Sequence, residues 1–269
     1  MGKLVGAFAT SHVVMNPAGV EAQAQDVIDS FAKIGRRVAE TAPDVILYIT
    51  SDHMVNLRYA LQPSFALGCA YSYTPLGDME IPREPISGAA EFSDRLLRFI
   101  DEAGFDLARM EELTPDHGIA LPLRIINPGG TIPISPLLIN INRTPSPSPA
   151  RCFALGQAIG RYIASEACSK KVAVIGAGGL SHWIATPGMG RVNATFDKDV
   201  MDALRRGDLK MLAEMSLDHI LEQAGNGGLE IMCWLAAAAA AGGAGGEIYH
   251  YQPMETWFTG MGAMEFSVS

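Results

Sequence analysis

Two stretches near the start of the chain repeat one arrangement. A strand-like run, Leu4 to Ala9, passes into Thr10, Ser11 and His12, and a second, Asp44 to Thr50, passes into Ser51, Asp52 and His53. Short, nearly continuous apolar runs mark strands buried on both faces, the kind found in mostly parallel sheets covered by helices. Similar strand patterns fall at Phe65 to Cys69, Ile132 to Ile141 and Lys171 to Gly176. Helical patterns occupy the intervals at Ala22 to Thr41, Gly88 to Ala103 and Ala150 to Ala167. This alternation predicts an α/β layered fold, with a central mostly parallel or mixed sheet flanked by helices.

The carboxyl half is richer in helix, with patterns at Thr195 to Arg205, Leu209 to Met215, Leu217 to Ala224 and Gly228 to Ala241. A final strand is expected over Glu247 to Gln252. The Pro-rich segment Asn142 to Pro149 reads as a loop entering a helix. The run "WLAAAAAAGGAGG" reads as a helix end and a turn, since Ala favours helix and Gly terminates it. No long linker interrupts the 269 residues, so one catalytic domain over 1–269 is expected.

Composition removes several classes of function. A net charge of −9 gives no basic face for a phosphate backbone, so no nucleic-acid partner is expected. Cys69, Cys152, Cys168 and Cys233 are scattered without a CxxC pair, which argues against a disulfide framework or a four-thiolate zinc site. The sequence has neither a signal-like start nor a long apolar span, so a cytoplasmic protein without membrane contact is expected.

His12 and His53 stand where predicted strands end, and in open α/β sheets ligands gather at the carboxyl ends of strands. Two imidazoles and one carboxylate make a facial set that binds a first-row metal and leaves positions open. His117, in "TPDHGIALPL", and His182, in "VAVIGAGGLSHWI", add two more loop-end histidines. His219 and His250 lack this setting. The turn "GAGG" resembles a nucleotide-binding loop only weakly, because no helix follows at once and Pro187 interrupts the next stretch. A turn that lets backbone approach a small ligand and aims His182 inward is the simpler reading. The favoured carboxylate is Glu230, at the start of the apolar helix in "GNGGLEIMCWLAAAAA", where a buried negative charge needs a partner. Asp52 and Asp116 are rivals, each next to a histidine that it would otherwise orient.

The motifs "TSH", "SDH", "DHG", "GAGGLSH" and "GLEIMCW", in that order across the whole chain, resemble the LigB family of class III extradiol ring-cleavage dioxygenases. The stretch "RCFALGQAI" is also similar to the β subunit of protocatechuate 4,5-dioxygenases. The resemblance implies that His12, His53 and Glu230 hold Fe(II). It further implies that His182 is the acid/base residue and that His117 contacts a substrate oxygen or the attacking dioxygen. The expected partners are a small aromatic or heteroaromatic diol and O2, with protocatechuate-like or gallate-like acids first, and aminophenols or dihydroxypyridines as alternatives. Thr259 and Arg143 are candidates for contact with a ring substituent. A homo-oligomer or a small partner subunit is a further expectation, because the chain has no obvious fused small α-type domain. A zinc-dependent hydrolase using the same ligands, or a noncatalytic subunit, is the rival class.

Overall fold

The computed structural model describes residues 1–268. The first strand, β1 (Lys3–Thr10), leads into helix α1 (Glu21–Thr41), and β2 (Val45–Thr50) follows. Next come β3 (Phe65–Gly68), a small hairpin of β4 (Ser72–Tyr73) and β5 (Ile86–Ser87), helix α2 (Ala90–Glu102) and β6 (Ala108–Met110). Helix α3 (His117–Ile126), β7 (Ile134–Ile139), α4 (Pro149–Ala164) and β8 (Lys171–Ala177) complete the first two thirds of the chain. Helices α5 (Ala194–Arg206), α6 (Leu209–Ala213), α7 (Leu217–Ala224) and α8 (Ile231–Ala240) precede β9 (Gly246–Met254) and β10 (Thr259–Phe266).

Eight strands form one mixed sheet in the order β6-β3-β7-β2-β8-β1-β10-β9. At its centre β2 and β1 flank β8, and both pair with it in parallel. The three strands therefore end on one edge, side by side. Antiparallel pairing of β10 with β1 and of β3 with β7 makes the sheet mixed.

Strand periodicity divides the core in two. Val45, Leu47 and Ile49 of β2 join a cluster with α2, α4 and α8, whereas Ile46 and Tyr48 join one with α1 and α3. Side chains that alternate across a sheet covered on both faces explain why every β2 position is buried and apolar or hydrogen-bonded. All ten residues of α8 are buried, because this helix lies between β8 and α4 and has no solvent face.

The predicted elements are present with boundaries moved by a few residues, with three differences. The last strand is β10, not the expected Glu247–Gln252 segment, which lies in its antiparallel neighbour β9. Helix α3, which His117 opens at the loop end expected for it, was not among the predicted helices, because Pro122 inside it masks the pattern. The short strands β4, β5 and β6 were not expected, because two or three residues carry no periodicity.

Helices α4 and α8 meet closely because Gly156 has no side chain. A Cβ there would lie 2.2 Å from the Ala236 carbonyl oxygen and 2.7 Å from the Ala239 methyl. Gly156→Val is expected to destabilise the fold by about 1–3 kcal/mol through overpacking. A lowered urea midpoint would register this, and an unchanged midpoint would contradict the close contact.

Candidate metal centre and active site

The site lies at the carboxyl edge of the three central strands. His12 follows β1, His53 follows β2, and His182 follows the turn after β8. From the helical layers come His117, the first residue of α3, and Glu230, which immediately precedes α8. All five residues that the sequence singled out are thus brought to one place.

Glu230 is the hub. It is 1% exposed, and its Oε1 lies 3.5 Å from His12 Nε2 and 3.6 Å from His53 Nε2. The other oxygen, Oε2, lies 3.8 Å from His182 Nε2 and accepts the Gly179 amide at 2.6 Å. Ser51 donates its hydroxyl to Oε1. Burial alone would raise the Glu230 carboxyl, but the surrounding His12, His53 and His182 outweigh it and hold the group well below the usual carboxylate range.

The histidines are aimed by their second nitrogens. His53 Nδ1 meets Asp116 Oδ2 at 3.0 Å, and the same oxygen accepts the His53 amide at 3.1 Å. His117 Nδ1 meets Asp78 Oδ2 at 2.6 Å, and His182 Nδ1 meets the Leu180 carbonyl at 2.9 Å. These acceptors assign an Nδ1 proton to each ring, so that in the neutral form Nε2 is the nitrogen left free. Burial pushes the His12 imidazole down to about 4, against the pull of Glu230, so it is neutral and suited to ligation. Burial opposes charge on His53 as well, but hydrogen bonds to Asp116 and Glu230 prevail and raise it to about 10.

The two rival carboxylates are committed elsewhere. Asp52 accepts the amides of Asn56 and Leu57 and the Asn56 side chain, closing the turn after His53. Asp116 orients His53 and caps α3 through the Gly118 amide at 2.9 Å.

Glycines of the two motifs clear space around the hub. A Cβ on Gly178 would lie 2.5 Å from the Glu230 Cβ, and one on Gly227 only 2.0 Å from His182 Nε2. This close approach is what the "GAGG" turn and the "GNGG" segment provide, without any phosphate cradle. Ser181 fixes the turn from behind, donating its amide (2.8 Å) and hydroxyl (2.9 Å) to buried Asp197, which also accepts the Tyr251 hydroxyl at 2.9 Å. Burial pushes the Asp197 carboxyl up to about 6 in spite of these donors.

A cavity of about 160 Å³ opens over the site, walled by His12, His53, His117, His182, Trp183 and Thr259. Thr259 is therefore at the site, whereas Arg143 lies in a neighbouring cavity that also reaches His53 and Glu230. The sequence reading missed Ser51, Asp78 and Asp197. Ser51 sits inside the "SDH" motif and was within reach of such a reading. Asp78 and Asp197 act across long sequence separations and leave no local pattern.

His12, His53 and His117 each offer a nitrogen, and these nitrogens lie within 4.8 Å of one another. Imidazoles beside a buried carboxylate form a donor set that fits a divalent first-row metal. Among the described residues, no helix is long and apolar enough to cross a membrane.

Comparisons with known proteins place the fold and the family. The fold matches the crystal structure of an uncharacterized protein from Escherichia coli K12 with a TM-score of 0.64, at 16% identity, over 98% of this chain and 100% of that one. Among sequence relatives is a protein from Photorhabdus laumondii, 26% identical over 94% of each chain. Another, from a Rhodococcus species, is 28% identical over 88% of this chain and 91% of its own. Both are named 2,3-dihydroxyphenylpropionate/2,3-dihydroxicinnamic acid 1,2-dioxygenases. Residues 6–262 match the family model described as the catalytic LigB subunit of aromatic ring-opening dioxygenase, and the chain belongs to that family of extradiol ring-cleavage enzymes.

Proposed function

We propose that this enzyme is an Fe(II)-dependent extradiol dioxygenase that opens the ring of a small catechol-type acid with O2. The observation that carries this reading is the placement of His12 Nε2 and His53 Nε2 within 3.6 Å of one oxygen of a buried carboxylate, beneath a cavity of ring size. His12, His53 and Glu230 would hold the metal. When bound, iron supplies a path for electrons from the catechol ring to dioxygen.

The remaining chemistry belongs to the protein. His182 presents Nε2 to the cavity and takes a proton from a substrate hydroxyl, returning it as the ring opens. Its Nδ1 contact with the Leu180 carbonyl keeps Nε2 in the form that accepts a proton. His117 is fixed by Asp78 and directs Nε2 at a substrate oxygen, holding the ring in place. Trp183 and Thr259 close the cavity around the ring. Protocatechuate-like and gallate-like acids are one substrate group, and the dihydroxyphenylpropionate named for the relatives is another.

A three-histidine metal site, with His117 in place of Glu230, is the second reading, favoured by the convergence of those three nitrogens. Glu230 is preferred because one of its oxygens lies within 3.6 Å of both His12 Nε2 and His53 Nε2, whereas His117 is held by Asp78.

Protein purified without oxygen and loaded with Fe(II) is expected to consume O2 and form a ring-opened product on a panel of these catechols. Zn(II)-loaded protein is expected to be inactive, and turnover with zinc would count for the hydrolase class. Glu230→Ala is expected to lose most of its iron by metal analysis while His117→Phe retains it. The opposite pattern would assign the metal to the three histidines. His182→Phe is expected to keep its iron and slow ring opening by about 10²–10⁴-fold, whereas unchanged turnover would remove it from acid/base work.

A further inference from the structure

The ring cavity holds no guanidinium or ammonium group among its lining residues, so a carboxylate carried directly on the ring would meet imidazoles, the Thr259 hydroxyl, and aromatic and aliphatic walls. A second cavity, of about 370 Å³, adjoins it. Both are lined by His53 and Ile184, so the two meet at the metal centre. The walls of the second cavity include Ile141, Leu217, Leu221 and Leu229, and Arg143 is its one basic residue apart from His53.

The setting of Arg143 is unusual for a half-buried cation. Its Nη1 donates to the Ser64 hydroxyl at 2.6 Å, and no carboxylate lies within ion-pair distance of it among the described residues. The acids that share the cavity do not serve it. Asp52 is taken up by Asn56 and Leu57, and Glu230 is turned toward His12 and His53. Asp218 stands exposed in the first turn of α7. The loop that carries Arg143 is tied down on both sides. Asn142 donates its side-chain amide to the Asp52 carbonyl, and the Ser146 hydroxyl donates to the Ile141 and Arg143 carbonyls at 3.0 and 3.1 Å. A cavity that combines an apolar wall with an arginine free of any ion pair among the described residues suits a short hydrocarbon chain with an anionic end.

We propose that this second cavity is a side-chain subsite in which Arg143 binds the carboxylate of the substrate, so the enzyme selects catechols whose acid group is carried on a chain of a few carbons rather than on the ring itself. The proposal rests on the ring-opening function above and narrows its substrate class. The methylene chain lies along the apolar walls while the diol occupies the ring cavity. Arg143 touches no reacting atom and sets selectivity through binding.

The test is the ratio of kcat/KM for 2,3-dihydroxyphenylpropionate to that for 3-propylcatechol, an uncharged compound of similar shape, using iron-loaded full-length protein. The wild-type ratio is expected to exceed ten, with protocatechuate opened less efficiently than the chain-bearing acid. Arg143→Gln is expected to reduce the ratio at least tenfold, and Arg143→Lys, which keeps the charge, to give an intermediate value. Because both substrates report on the same preparation, a general loss of folded enzyme does not mimic this change. A wild-type ratio near one, an undiminished ratio in Arg143→Gln, or a preference for protocatechuate would overturn the subsite. If 3-propylcatechol and unsubstituted catechol are also left intact by iron-loaded wild-type protein, the ring-opening reading itself falls, and the subsite with it.

Discussion

Everything at the active edge is arranged around one buried negative charge. Placing a carboxylate in an apolar interior costs several kcal/mol unless compensating groups surround it. Glu230 meets that demand with the Ser51 hydroxyl, the Gly179 amide and the imidazoles of His12, His53 and His182. Remove the carboxylate and three imidazoles lose their common neighbour. The fold serves this meeting, since only adjacent parallel strands bring His12, His53 and His182 to a single edge, and only a fully buried α8 delivers Glu230 from below.

A second set of contacts sits behind the first. Asp116, Asp78 and the Leu180 carbonyl each hold one imidazole by Nδ1. Three different parts of the chain supply these acceptors, so the rings are oriented by the scaffold and not by one another. Orienting groups of this kind fix ring tautomer and direction, which are prerequisites for both ligation and proton transfer. The backbone around Asp78 bears the mark of such a demand: Gly77, Met79 and Glu80 all have positive φ, an unfavourable conformation for the two side-chain-bearing residues.

The layered fold was legible in the sequence because the sheet is buried on both faces. Strands such as β2 and β8 are then nearly unbroken apolar runs, and the helices between them carry a clear 3.6-residue pattern. His12, His53 and His182 were legible for a related reason, as polar residues that follow such runs, and His117 and Glu230 as polar residues at the start of apolar segments. The limits have physical causes too. Helix α3 contains Pro122, β6 is too short to show a period, and β10 is rich in Gly and Met, which carry little strand preference. Asp78 and Asp197 touch the site machinery only after the chain has folded back over 39 and 16 residues, respectively. Nothing next to them in sequence marks that role. Asp52 and Asp116 differ from Glu230 in the hydrogen bonds that they make once the chain has folded, and no local sequence pattern shows that difference.

The pairing of β1 with β10 has a consequence for biosynthesis. Ser11 and Gly262 exchange hydrogen bonds across 251 residues, and His12 meets a carboxylate that follows it by more than two hundred. During synthesis, His12, His53 and His117 leave the ribosome well before Glu230 and the strand that seals β1. Contacts of such long sequence separation form late, after loop-closure entropy has been overcome. A growing chain therefore exposes histidines without the carboxylate that draws them together, and the full cluster of imidazoles and carboxylate arises only after Glu230 has been made and folded back onto His12 and His53.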